Sequence, residues 1–167
     1  MSRQLLLFRH ANAEWDGNIA GDHARKLSKR GEADARLMGK ALAQSGHIPQ
    51  FIFASSATRA QSTAKLAEKA GSWNCPIKVT DQLYNIEPDD VFEVIKQIAP
   101  FHQRVMLVGH EPTWSSLVNK FTESNAIHMA TGSIACISFD TDVWNEVYYG
   151  LGSLDWLIQP SLFKSSA

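Results

Sequence analysis

Hydrophobic positions along this chain follow two rhythms. Short unbroken runs, Leu5-Leu6-Leu7-Phe8, Phe51-Ile52-Phe53-Ala54 and Val105-Met106-Leu107-Val108, have the length of strands covered on both faces. Between them apolar residues return every three or four positions. Ala33, Leu37, Ala41 and Leu42 do so behind Ser28, which reads as an N-cap, and Gly46 stops the segment. Ala60, Ala64, Leu66 and Ala67 repeat the pattern from about Thr58 to Gly71. Val91, Val94, Ile95 and Ile98 predict a third helix, opened by Pro88 or Asp89 and broken by Pro100, and Trp114 to Phe121 a fourth. Pro76-Ile77-Lys78-Val79 predicts one more short strand. Ile134 to Phe139 and Glu146 to Gly150 predict a hairpin across Asp140-Thr141-Asp142 at the sheet edge. Strands alternating with helices predict α/β architecture over residues 1–167. The expectation is a single three-layer α/β/α domain with a mostly parallel central sheet and an antiparallel edge strand. The tail from Ser153, with Trp156, Leu157, Pro160 and Phe163, is expected to pack on the body, at no assigned place.

Three of the strand runs deliver polar groups at the same end. The first is followed by Arg9 and His10, the second by Ser55-Ser56 and then Arg59, the third by Gly109-His110-Glu111-Pro112. Ligands of open parallel sheets bind just beyond the carboxyl ends of the strands. If these strands are neighbours, two guanidiniums and two imidazoles converge on one pocket suited to a doubly charged oxyanion, phosphate foremost. The polar stretch from Ala11 to Leu27 is long for a connection in a compact domain, which points to a functional loop.

Composition narrows the possibilities. A chain of 167 residues, 44% hydrophobic and 20% charged, supports one sizeable globular core. A net charge of -1 supplies no basic field, so nucleic acid and anionic lipid are poor partners and anion selectivity has to be local. The five tryptophans read as packing residues, with Trp15 and Trp156 open to bordering the pocket. No stretch is long enough to span a bilayer, and the N-terminal apolar run is shorter than a secretory leader requires. Cys75 and Cys136 lie far apart and form no metal or redox spacing; two reduced thiols fit a cytoplasmic protein. His110-Glu111 is not followed by a second histidine at zinc-protease spacing, and neither metal nor cofactor is expected. His23, His47, His102 and His128 read as surface residues, with His23 closest to the pocket loop.

Leu7-Phe8-Arg9-His10-Ala11, Ser55-Ser56-Ala57-Thr58-Arg59-Ala60-Gln61-Ser62-Thr63 and Val108-Gly109-His110-Glu111-Pro112 resemble, in that order, the motifs of the histidine phosphatases, the phosphoglycerate mutase-like superfamily. With Leu27-Ser28-Lys29-Arg30-Gly31 and Thr131-Gly132-Ser133 they are most similar to SixA-type phosphohistidine phosphatases. The resemblance implies that His10 is the nucleophile, through a phosphohistidine intermediate. It implies that Arg9 and Arg59 clamp the phosphoryl oxygens and that His110 stabilises their charge. Asn12, Ser55 and the N–H of Glu111 are implied as further phosphate donors. A neutral imidazole is competent near pH 7, its free pKa being about 6.5, provided a backbone carbonyl or carboxylate holds the other ring nitrogen as N–H.

Two positions depart from the family pattern. Ala11 stands where Gly is usual, which costs little if φ is negative. Many relatives carry a glutamate acid in the segment matching Leu83-Tyr84-Asn85, where this chain offers only Asn85. Glu87 and Asp89 are the nearest candidate proton donors, followed by Asp90, Glu14 and Asp16. A departing alkoxide, whose parent acid has a pKa near that of water, about 15.7, needs a proton. A departing imidazole is far less demanding. The missing acid therefore suggests a phosphohistidine-bearing protein as substrate, such as a phosphorelay or phosphotransfer domain. The alternatives are a phosphatase of a small phosphorylated molecule, a mutase, and a non-catalytic phospho-ligand binding module. In either phosphatase reading inorganic phosphate is the product.

Overall fold

A computed structural model describes residues 2–15 and 17–165. The three polar-ended runs become adjacent strands, because all three are apolar on both faces and can only be buried between layers. They are β1 (Arg3–Arg9), β2 (Phe51–Ser55) and β4 (Arg104–Gly109). With β3 (Ile77–Thr80), β5 (Ile134–Phe139) and β6 (Gly152–Ile158) they form one sheet in the order β3-β2-β4-β1-β5-β6. The first four strands are mutually parallel, and β5 is antiparallel to both β1 and β6.

Alternation within the strands separates two cores. Leu6, Phe8, Ile52, Ala54, Met106 and Val108 face α1 (Lys29–Ser45) and α2 (Thr58–Ala70). Leu5, Leu7, Phe53, Val105 and Leu107 face α3 (Val91–Ile95) and α4 (Thr113–Thr122). The three-layer α/β arrangement follows. Ser28 caps α1 by accepting Gly31 N–H at 3.0 Å, and Gly46 closes that helix in the left-handed conformation. Both cysteines are free thiols, Cys136 inside β5 and Cys75 before β3. Among the described residues no helix is long and apolar enough to cross a membrane.

Two expectations need correction. The second strand of the hairpin is Gly152–Ile158, not Glu146 to Gly150. The earlier segment is drawn into a turn because Trp144 buries its indole and donates Nε1–H to the His102 carbonyl at 2.7 Å, while Tyr149 packs on Phe92 and Phe121. The hairpin still lies at the sheet edge: β6, antiparallel to its neighbour β5, is the edge strand and carries Trp156 and Leu157 of the unassigned tail. The third helix ends at Ile95; Ile98 is buried beyond it without extending the helix.

α1 and α2 touch where Gly39 meets the backbone of Ala67. A Cβ at Gly39 would lie 2.1 Å from the Ala67 carbonyl oxygen, with no flexible side chain to give way. Gly39→Ala is therefore expected to destabilise the protein by about 1–3 kcal/mol, the usual cost of overpacking. The urea midpoint should fall with an unchanged m-value; an unaltered midpoint would show that the helices separate freely.

Candidate active site

The site begins with a strand register. Arg9 of β1 lies opposite Gly109 of β4, so the next residue of each chain segment, His10 and His110, emerges at the same height. Their ring centroids are 5.2 Å apart. The exit of β1 is held from both sides. His10 N–H donates to the Gly109 carbonyl at 3.0 Å, and Gly132 N–H reaches the carbonyls of Arg9 and His10 at 3.2 and 3.1 Å. Gly132 does so at a φ of +76°, which glycine adopts without steric cost. Ala11 is absent from the positive-φ residues, so alanine is accommodated there without strain.

Arg59 enters from the first turn of α2. Thr63, one turn later, ties that turn to the β1 exit: its hydroxyl donates to the Arg59 carbonyl at 2.7 Å and accepts Ala11 N–H at 3.0 Å. The Arg59 side chain is only 7% exposed, so its charge needs partners within the protein. Asp22 supplies them. Its main-chain carbonyl accepts from Nη1 at 2.7 Å and its carboxylate from Nη2 at 3.1 Å. The same carboxylate accepts the Tyr84 hydroxyl at 2.7 Å and Arg25 Nη1 at 3.1 Å. Burial opposes ionisation of Asp22, but the Tyr84 and Arg25 hydrogen bonds and the Arg59 charge outweigh it and bring the carboxyl to about 2.

Arg9 is oriented from α4. Its Nη1 donates to the Met129 carbonyl at 2.8 Å. Met129 N–H donates to Ser115 Oγ at 2.9 Å, and Ser115 donates its hydroxyl to Glu111 at 2.6 Å. The other Glu111 oxygen accepts Ser115 N–H at 2.7 Å. The Glu111 carboxylate thus caps α4 and steadies the loop that holds Arg9.

The two imidazoles are chemically distinct. His10 Nδ1 lies 2.7 Å from the Ala11 carbonyl. A carbonyl only accepts, so the ring proton sits on Nδ1 and Nε2 keeps its lone pair. Arg59 Nε faces that lone pair at 3.4 Å. Burial is the main cause that pushes His10 down to about 4; the Ala11 bond resists, and the Arg59 and Arg9 charges add to the fall. His110 falls to about 3, again through burial first, then through His10 and Arg59. Its Nε2 is 2.7 Å from Ser55 Oγ. Arg9 Nε and His110 Nδ1 are buried without a partner.

Of the predicted residues, Arg9, His10, Asn12, Arg59, His110 and Glu111 line one cleft of about 660 Å³, and Glu87 borders it. The Asn12 side-chain oxygen accepts the Ser28 hydroxyl at 2.7 Å, which leaves its NH₂ for other partners. Ser55 is fully buried behind His110, outside the lining. Asp89 also lies outside it; its carboxylate accepts the Tyr149 hydroxyl at 2.6 Å, because the turn at Pro88 carries it to the aromatic cluster. Asp90 accepts Glu87 N–H at 3.0 Å, and the carbonyl of Glu14 accepts from Arg25 at 2.8 Å. Asp16 falls outside the described residues. None of His23, His47, His102 and His128 lines the cleft. His23 is the nearest, bonded to Ser56 Oγ at 2.9 Å with its ring edge-on to Tyr84. Trp15 carries the Arg25 guanidinium 4.6 Å from its ring centroid, and Trp156 packs on His47.

Asp22, Arg25 and Tyr84 line the cleft without having been singled out in the sequence. The only signal for the first two was the unusual length of the Ala11–Leu27 loop. Tyr84 lies beside Asn85, whose φ of +54° places it in the left-handed region. Among the described residues no group of three or more His, Cys, Asp or Glu side chains is arranged to hold a metal ion.

Comparison with known proteins adds independent findings. The sequence model of the histidine phosphatase superfamily (branch 1) matches residues 5–94. An uncharacterized chloroplastic protein of Arabidopsis thaliana is 30% identical over 168 residues, covering 95% of this chain and 77% of that one. Among solved structures, the protein histidine phosphatase SixA complexed with tungstate superposes with a TM-score of 0.80 at 21% identity, covering 96% of this chain and 99% of that one. A mycobacterial glucosyl-3-phosphoglycerate phosphatase superposes with a TM-score of 0.71 at 14% identity, covering 93% and 98%.

The ring geometry predicts an NMR titration. His10 should be a neutral Nδ1–H tautomer at pH 7 and take up its second proton only near pH 4. A midpoint near the ordinary 6.5, or an Nε2–H tautomer, would contradict the hydrogen bond to Ala11.

Proposed function

The chain belongs to the histidine phosphatase superfamily (branch 1), and from that premise we propose a phosphatase that works through His10 and takes phosphohistidine on a protein as its substrate. The enzyme class, a phosphatase releasing phosphate from phosphorylated substrates, comes with the family. The substrate and the roles of individual residues are our reading of the site.

In this reading His10 Nε2 attacks phosphorus in line, a bond forms to Nε2, and the P–N bond of the substrate ring breaks; with its other nitrogen already protonated, that ring leaves as neutral imidazole. Water then attacks the phosphorylated His10 and phosphate leaves. Arg9 and Arg59 hold the equatorial oxygens; such arginines are worth roughly 10³–10⁵ in rate where they stabilise a phosphoryl transition state. Arg9 Nε and His110 Nδ1, buried and unpartnered, gain acceptors when an oxyanion is seated. Ser55 then acts behind His110: donating its hydroxyl to Nε2 places the single ring proton on Nδ1. Asn12 NH₂ and the Glu111 N–H are proposed as further donors.

The observation that carries the N–P substrate is the shortage of a protonated acid. Asp22 is anionic above about pH 2, Glu111 is committed to Ser115, and Asp89 is held by Tyr149. Tyr84, donating to Asp22, has its pKa raised chiefly by that bond. Glu87, the remaining acid at the cleft among the described residues, accepts the Asp90 backbone N–H in a capping box at the start of the turn Pro88–Asp90. An imidazole leaves without a strong acid, and an alkoxide does not. A second reading, a small phosphorylated metabolite, is favoured by the cleft volume of about 660 Å³, which suits a small ligand. Two free thiols keep the cytoplasm as the proposed compartment.

The test measures phosphate release, in excess chelator, from a phosphohistidine-bearing phosphotransfer domain and from an alkyl phosphate. We expect a preference for the former of about tenfold or more, complete loss in His10→Ala, and little change in Glu87→Gln; general acids typically contribute 10²–10⁴. Equal or better turnover of the ester, or collapse of activity in Glu87→Gln, would transfer the assignment to a metabolite phosphatase with Glu87 as its acid.

A further inference from the structure

Arg59 does not approach His10 unaided. We propose that Asp22 is a positioning residue for Arg59: by taking both terminal nitrogens of the guanidinium it turns the Nε edge toward His10 and makes the 3₁₀ turn Ile19–Ala24 part of the active site. The proposal rests on the reading above only in that Arg59 is taken to bind the oxyanion.

A guanidinium offers two flat forks of donors, one between the terminal nitrogens and one along the Nε side. Asp22 takes Nη1 with its main-chain carbonyl at 2.7 Å and Nη2 with its carboxylate at 3.1 Å. The Nε–H is left pointing at the His10 lone pair from 3.4 Å. An oxyanion entering between Nε2 and Nε would meet a fork already aimed at it. The buried ion pair also removes the cost of leaving Arg59 nearly dehydrated and uncompensated while the cleft is empty.

Asp22 is itself fixed. Tyr84 donates to its Oδ2 at 2.7 Å and Arg25 to its Oδ1 at 3.1 Å. Arg25 is pinned in turn by the Glu14 carbonyl at 2.8 Å and by the face of Trp15. The turn is capped by Asn18, whose side chain accepts Ala20 N–H at 3.1 Å. The groups facing the carboxylate are therefore Arg59, Arg25 and Tyr84. A restraint built from three separate chain segments resists the small displacements that reduce catalysis; an error of 1 Å in a positioned group can cost on the order of a hundredfold.

A rival explanation predicts the opposite sign. If Asp22 were an internal anion that blocks the cleft, removing its charge would tighten oxyanion binding, as Coulomb's law alone requires. If it positions Arg59, removal weakens binding despite the gain in positive charge.

The experiment measures tungstate binding by calorimetry to the wild type, Asp22→Ala, Asp22→Asn, Arg59→Ala and the Asp22→Ala/Arg59→Ala double variant, with an unfolding midpoint for each. We expect Asp22→Ala and Asp22→Asn to bind roughly tenfold more weakly or worse, and Asp22→Ala to add nothing once Arg59 is gone. Unchanged or tighter binding in Asp22→Asn, or an undiminished Asp22→Ala effect in the Arg59→Ala background, would overturn the proposal. Asp22→Asn, close to isosteric, decides the matter should Asp22→Ala not fold. Oxyanion binding does not depend on which substrate is turned over. A wild type that binds tungstate but hydrolyses neither substrate would refute the substrate assignment and leave the Asp22 result standing.

Discussion

Everything at this site is shaped by one electrostatic constraint: two guanidiniums and two imidazoles are gathered at one sheet edge before any anion arrives. The protein meets it in two ways. The imidazoles stay neutral, because burial drives both pKa values well below the ordinary range and neighbouring cations drive them further. The guanidiniums stay charged and are compensated from behind, Arg59 by the Asp22 carboxylate and Arg9 by a main-chain carbonyl steadied through Ser115 and Glu111. Neutral rings among fixed cations give a lone pair in a positive field, the condition for a nucleophile toward a phosphoryl group at pH 7. The strand register exists to serve this arrangement, since only the Arg9–Gly109 pairing brings His10 and His110 together.

How much of this was legible in the chain depended on whether the information was local. β1, β2 and β4 were readable because doubly covered strands need unbroken apolar runs, and their polar ends followed from the sheet rule. α1 was readable through Ser28 and Gly46, whose capping roles depend on neighbours three or four residues away. Glu146–Gly150 misled because Tyr149 packs against Phe92 and Phe121 from a turn while Tyr148 stays exposed, and turn aromatics carry no period. The true edge strand does alternate, with Ser153 and Asp155 exposed and Leu154 and Trp156 half-buried, but none of its residues is fully buried and the alternation is short. Asp22 was invisible for a different reason. Its partners Arg59 and Tyr84 lie 37 and 62 residues away, and a lone aspartate in a polar loop looks like any solvated residue. His10, by contrast, was identified from its motif, but the acceptor for its Nδ1 proved to be the very next carbonyl, a contact of backbone geometry that composition cannot express.

The carboxylates around the cleft show how environment sorts identical groups into different work. Glu111, Asp22 and Asp89 are each hydrogen-bonded as acceptors, and for Asp22 those bonds help bring the carboxyl down to about 2. Groups held in this way orient cations and cap helices. Glu87 follows the same rule, its carboxylate accepting the Asp90 N–H in a capping box at the turn Pro88–Asp90. Asn85, which lines the cleft, sits in the left-handed region that asparagine tolerates better than glutamate. The backbone and the side chain therefore agree at that position, and the turn itself favours asparagine over a longer acid there. A cleft whose two arginines are held in place from behind, while its carboxylates are taken up as acceptors, is arranged to seat an oxyanion between fixed cations.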